Sequence, residues 1–203
     1  MARNLWAGFA LAACMFVVSS VPAHAQEYFA KFSGFQEVGG LGAGETGAIL
    51  SPGEATLKFT LDKTAETLTY TLTYSFPSST TVTQSHIHFG KEHVAGNVVV
   101  YFCVGDGTAP PAGISVPACP AFEGTVTGVI TPSDVTSKAA AQNIPAGDFA
   151  GLVSILESDT AYANIHTTAF PSGEIRGQIH RVRPRPQRPF PGGPGGPNGN
   201  RGE

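Results

Sequence analysis

From Glu54 to Phe76 apolar residues fall on every second position, and a chain with that period builds strands, not helix. In "EATLKFTLD", Ala55, Leu57, Phe59 and Leu61 share one face and Thr56, Lys58 and Thr60 the other. In "TLTYTLTYSF", Leu68, Tyr70, Leu72 and Tyr74 oppose Thr69, Thr71 and Thr73. Both runs are rich in β-branched and aromatic residues, and the short "DKTAE" between them predicts a hairpin with one buried face.

Other segments extend this pattern. "YFAKFSGF" predicts a first strand, and "FEGTVTGVIT", Phe122 to Thr131, a later one. "NVVVYFCV", Asn97 to Val104, is apolar on both faces, which predicts a central strand. Thr131-Pro132-Ser133-Asp134 reads as a helix start that "VTSKAAAQNI" continues. In "DFAGLVSILES", Phe149, Leu152, Val153 and Leu156 follow helical spacing and predict a second, amphipathic helix. Antiparallel strands with a short helical insertion predict a mainly β fold, an antiparallel β-sandwich or barrel.

The two ends read differently. Residues 1–25 carry one Arg, an apolar run from Leu5 to Val18, Pro22 and an Ala-His-Ala pattern before Gln26, the form of a secretory signal peptide. "LAAC" has the letters of a lipoprotein signal, but Cys14 sits inside the apolar run rather than at its end. No later segment is long and apolar enough to predict a transmembrane helix. Residues 181–203 are almost all Arg, Pro and Gly, too poor in apolar surface to offset the entropy of ordering, and read as a disordered basic tail. Setting aside the tail's five Arg and one Glu and the leader's one Arg from the total of −3 leaves residues 26–180 at −8. An acidic body of this kind argues against nucleic acid as a partner; a protein or an envelope polymer is expected instead. Once the leader is removed two cysteines remain, Cys103 and Cys119, bracketing a Gly- and Pro-rich loop. In an exported protein they predict a disulfide, and the expected location is secreted or periplasmic.

The chemistry concentrates in two places. "SHIHFG" puts His86 and His88 on one face of a strand, about 6.5 Å apart at Cα and able to reach one ion. "AYANIHTTAFPSGEIRGQIH" consists of two alternating runs around a turn. Matching the apolar sides pairs Ile165 with Ile175, Ala163 with Gly177, Asn164 with Arg176 and His166 with Glu174. One face then holds Tyr162, Asn164, His166, Glu174, Arg176 and Gln178, with Glu174 and Arg176 supporting each other. If the two segments are neighbours, His86, His88, His166 and Glu174 form a mixed nitrogen and oxygen set suited to Zn or Cu. The competing reading is a hydrogen-bonded polar face, with Arg176 holding the carboxylate. His93 and His180 are expected to be incidental.

"SGFQEV", "SHIHFG", "GNVVV" and "YANIHTTAFPSGEIRGQI" resemble, in order, the signature segments of the CHRD domain. That domain is found in the extracellular antagonist chordin and in exported microbial proteins. The resemblance covers nearly all of residues 26–180 and implies an immunoglobulin-like β architecture, an extracellular setting and no established enzymatic activity. Gly39-Gly40 stands where prolines commonly follow "QEV", and the loop between the cysteines looks like a local elaboration. "HIHFG" is also similar to the copper-binding region of Cu/Zn superoxide dismutase. That enzyme needs a second, zinc-binding cluster, and five histidines after the leader are few for both. No G-x-S-x-G elbow and no paired carboxylates suggest a hydrolase. The expectation is therefore a non-enzymatic binding module with no catalytic residues and a candidate metal site. The superoxide dismutase-like metalloenzyme is the alternative.

Overall fold

The computed structural model describes residues 25–38, 47–77, 79–105 and 107–183. Residues 1–24 of the signal-peptide reading, residues 184–203 of the tail reading and the Gly39-Gly40 departure lie outside the described residues. The tail reading began at Arg181, but Arg181 is paired with Tyr28 in a sheet and Val182 N–H donates to the Glu27 carbonyl at 2.8 Å, so the fold runs past His180. Two antiparallel sheets face each other. The first runs in the order β6-β3-β2-β1-β9, from β1 (Gln26–Phe32), β2 (Glu54–Asp62), β3 (Thr67–Ser75), β6 (Glu123–Ile130) and β9 (His180–Arg181). The second runs β5-β4-β7-β8, from β4 (Val82–Phe89), β5 (Asn97–Val104), β7 (Ala161–Thr167) and β8 (Ile175–Gln178).

The β2–β3 hairpin forms in the expected register, with Leu57 opposite Leu72, Phe59 opposite Tyr70 and Leu61 opposite Leu68. Its turn is set by Asp62, whose Oδ1 accepts from the backbone N–H of Thr64 and of Ala65, each at 2.9 Å. The inward residues meet the second sheet through Phe102, whose ring lies 5.7 Å from Phe59 and 4.9 Å from Tyr70. The Tyr70 hydroxyl donates to the Phe102 carbonyl at 2.8 Å, so its buried polar end is satisfied. At one corner the sheets are stitched together. Ser33, just past β1, exchanges backbone hydrogen bonds of 3.0 and 3.2 Å with Arg176 of β8.

Strand β5 is an edge strand, not the central one its apolar sequence predicts. The 3-10 segment Ser137–Gln142 packs on it, and Thr136 N–H donates to the Val99 carbonyl at 2.8 Å. Burial on both faces comes from this cover rather than from a second neighbouring strand. The same contact explains a second difference. The helix expected to run on from Thr131 is two 3-10 segments, Pro132–Asp134 and Ser137–Gln142, broken where Val135 enters the core and Thr136 bonds β5. The second predicted helix is present as α1 (Phe149–Glu157), capped by Asp148, which accepts from Gly151 N–H at 2.8 Å. It buries Phe149, Leu152, Ile155 and Leu156, while Val153 is only partly buried.

Cys103 and Cys119 are joined, with Cα atoms 5.0 Å apart. The bond ties the intervening loop to the end of β5, where Cys119 N–H donates to the Val104 carbonyl at 2.9 Å. No helix among the described residues is long and apolar enough to cross a membrane.

Candidate metal centre

Alternation along β4 sends Ile87 into the core and His86 and His88 to the outer face of the second sheet. On β7 the partners are Asn164 opposite His86, Tyr162 opposite His88 and His166 opposite Gln84. The last hairpin has the derived register, Ile165 with Ile175, Asn164 with Arg176, Ala163 with Gly177 and Tyr162 with Gln178. His166 therefore lies diagonal to His86 on the adjacent strand. The imidazole centroids stand 4.5 Å apart for His86 and His88 and 4.6 Å for His86 and His166. One nitrogen from each of the three lies within 4.8 Å of the others.

This outer face is not open to water. His86, His88 and His166 are 2, 8 and 7 % exposed. The loop after β4 and the turn before β8 close over them and supply the hydrogen bonds that set two rings. His88 Nδ1 donates to the Gly96 carbonyl at 2.8 Å, and His166 Nδ1 donates to the Pro171 carbonyl at 2.8 Å. In a neutral imidazole each bond puts the lone pair on Nε2. His166 Nε2 and His86 Nδ1 are buried without a protein partner. His88 Nε2 lies 3.1 Å from the Asn164 side-chain Oδ1, and the Asn164 amide nitrogen faces Glu37.

Burial holds all three groups neutral. His86 is pushed well below the ordinary histidine range by desolvation, reinforced by the like charges that His88 and His166 would carry. Desolvation brings His88 down to about 4, and it lowers His166 against the opposing pull of the Pro171 carbonyl. Three neutral imidazoles, each with a nitrogen within 4.8 Å of the others, are a donor set that a transition metal can use. The carbonyl partners at Nδ1 are the outer contacts that orient metal-bound histidines.

Arg176 lies on the same face, almost fully buried. Its guanidinium stacks over the Tyr162 ring at 3.4 Å, and that ring stacks in turn on His88 at 4.6 Å and 3°. Arg176 also donates to the Val94 carbonyl at 3.1 Å and the Lys91 carbonyl at 2.8 Å. It thus pins the loop whose Gly96 orients His88. Gly96 itself permits the close approach, since a Cβ there would lie 1.7 Å from the Phe89 carbonyl oxygen.

Glu174 is not brought to the imidazoles. Its carboxylate accepts from the hydroxyls of Ser51 and Thr167, and among the described residues the group of converging ligand atoms contains the three histidines alone. Gly173, at φ 126°, turns the chain just before β8, so alternation starts only at Ile175 and Glu174 falls out of the face occupied by Arg176. The predicted Glu174–Arg176 support is absent for the same reason. Asn164 and Arg176 do stand on the histidine face, as the register requires.

Sequence reading missed Glu37 and Tyr101. Glu37, within "SGFQEV", is 4 % exposed, with one carboxyl oxygen buried and unpartnered, and burial raises its pKa. Tyr101 packs edge-on to His86 at 5.0 Å. An unpaired acid inside a signature segment was the available signal for the first. His93 sits in the loop after β4 with a left-handed backbone, and His180 is exposed beside Asp159.

Residues 28–179 match the CHRD domain family, a span that holds every residue of the centre and all of both sheets except β9 and the first two residues of β1. The chain belongs to the CHRD domain family. No curated protein and no solved structure gives a significant match. Within this CHRD domain "SHIHFG" is the source of two of the three converging histidines.

Proposed function

We propose that this CHRD protein is an exported, non-enzymatic binding module of the envelope or extracellular space, and that its binding site is a three-histidine centre for Zn or Cu. The observation that carries the reading is the convergence of His86, His88 and His166 with two rings oriented by backbone carbonyls and two buried nitrogens lacking partners. Neutral, preoriented, unsatisfied imidazoles cost stability in the free protein, and a metal recovers that cost. The Cys103–Cys119 bond supports an oxidising compartment. The burial of the centre argues against the superoxide dismutase-like alternative, because a copper ion that turns over substrate must be reachable from solvent.

Thermal unfolding of the untagged, metal-free protein tests this. Zn or Cu at about a hundred times its dissociation constant stabilises by about 2.7 kcal/mol, which raises Tm by about 5–10 °C for a domain of this size. His86→Ala abolishes the rise. An unchanged Tm, or a rise that survives in His86→Ala, contradicts the reading. Superoxide turnover by the copper-loaded protein favours the enzyme instead.

A further inference from the structure

Three features of the centre bear on the charge of the ion it holds. The donors are three neutral imidazoles, and among the described residues no carboxylate joins them. The nearby acids are turned elsewhere: Glu174 is engaged by Ser51 and Thr167, and Glu37, whose pKa burial raises, faces Asn164 and Arg176 rather than the imidazoles. A permanent positive charge shares the buried face, because Arg176 is 1 % exposed and its hydrogen-bond partners are the neutral oxygens of Lys91, Val94 and the Gln178 side chain, with Glu37 and Glu92 acting on it only through their charge and joined to it by no ion pair among the described residues. Finally, the two unpartnered nitrogens, His86 Nδ1 and His166 Nε2, are sealed from solvent.

Each feature weighs more heavily on a dication than on a monocation. The desolvation cost of a buried ion rises with the square of its charge, and repulsion from a guanidinium rises in proportion to it. Zinc bound by three protein ligands completes its tetrahedron with water or hydroxide. Copper(I) is a closed-shell ion that is stable with three nitrogen donors in a plane and needs neither a fourth ligand nor an anionic one.

Resting on the proposed metal-binding role of the three histidines, we infer that the centre selects a monovalent soft cation, copper(I), over divalent zinc or copper. His86, His88 and His166 supply the three nitrogens, and Arg176 with its Tyr162 stack disfavours the dications.

The test is a set of competition titrations on the full, untagged, disulfide-intact protein. Copper(I) is kept reduced with ascorbate, which leaves the disulfide intact. Silver(I) serves as a redox-inert monovalent probe, and Zn(II) and Cu(II) are the divalent probes, each against a chromogenic chelator. The expected result is one Cu(I) and one Ag(I) per chain, each held about tenfold or more tighter than either dication, with loss of the site in His166→Ala. Zn(II) or Cu(II) bound as tightly as Cu(I) overturns the selectivity and leaves the metal centre standing. Failure of all four ions to bind overturns both. The comparison among ions is made on the wild-type protein, so a variant that fails to fold does not remove it.

Discussion

His88 shows how burial and hydrogen bonding act on one ring in opposite directions. The Gly96 carbonyl favours the protonated ring, desolvation opposes it, and desolvation wins, bringing the pKa down to about 4. The consequence for stability has a definite sign. In the unfolded chain histidine titrates near its ordinary value of about 6.5. Between that value and the lowered folded value the unfolded state binds more protons, so the metal-free protein loses stability as pH falls through this window. For His88 alone the loss amounts to about 3 kcal/mol between about pH 6.5 and pH 4, and His86 and His166 add to it with the same sign. Urea unfolding of the metal-free protein at a series of pH values should show this decline, and His88→Gln should make it shallower while His86 and His166 sustain the remainder. A stability that is level across the window would mean the imidazoles are not buried as described. The residue types at the centre were readable from "HIHFG" and from the last hairpin. The fate of Glu174 was not, because it depends on the backbone turn at Gly173 rather than on the alternation that places its neighbours.

Strands and loops divide the work of the centre. Strands β4 and β7 place the rings by period and register, both of which can be derived from apolar matching: Ile165 with Ile175 fixes Asn164 against Arg176. Loops orient and cover the rings, and no periodicity reports that. The loop after β4 depends on Gly96, where any side chain collides with the Phe89 carbonyl. Gly96→Ala should therefore destabilise the protein by about 2 kcal/mol or more, since the added Cβ overlaps backbone atoms that cannot move aside freely. It should also weaken metal binding by releasing His88 Nδ1. Wild-type stability with wild-type affinity would show that the loop does not set the ring. The interrupted helix belongs at this scale too. "VTSKAAAQNI" favours helix locally, but Thr136 uses its N–H on the exposed edge of β5, and that long-range bond overrides the local preference.

For the whole molecule, the alternation of Glu54 to Phe76 anticipated the sandwich because a half-buried sheet needs a second layer to cover it. Which strands lie at the edges was less legible. An apolar strand covered by a 3-10 segment carries the same composition as one flanked by two strands, as β5 demonstrates. The disulfide was anticipated from cysteine number and compartment, and it anchors a loop at the end of β5, where Cys103 pairs with Ser85, the neighbour of His86. Cys103→Ser with Cys119→Ser should lower the unfolding free energy by about 3 kcal/mol, the chain-entropy expectation for a loop of this length. An unchanged denaturation midpoint would place the loop outside the cooperative unit.

His86, His88 and His166 are proposed to hold one metal ion between them. Anomalous diffraction from crystals of the copper-loaded protein measures this most directly. A single strong peak is expected about 2.0–2.1 Å from a nitrogen of each of the three rings, with His88 and His166 bound through Nε2. An empty centre, or a peak at an exposed group such as His180 beside Asp159, would contradict it.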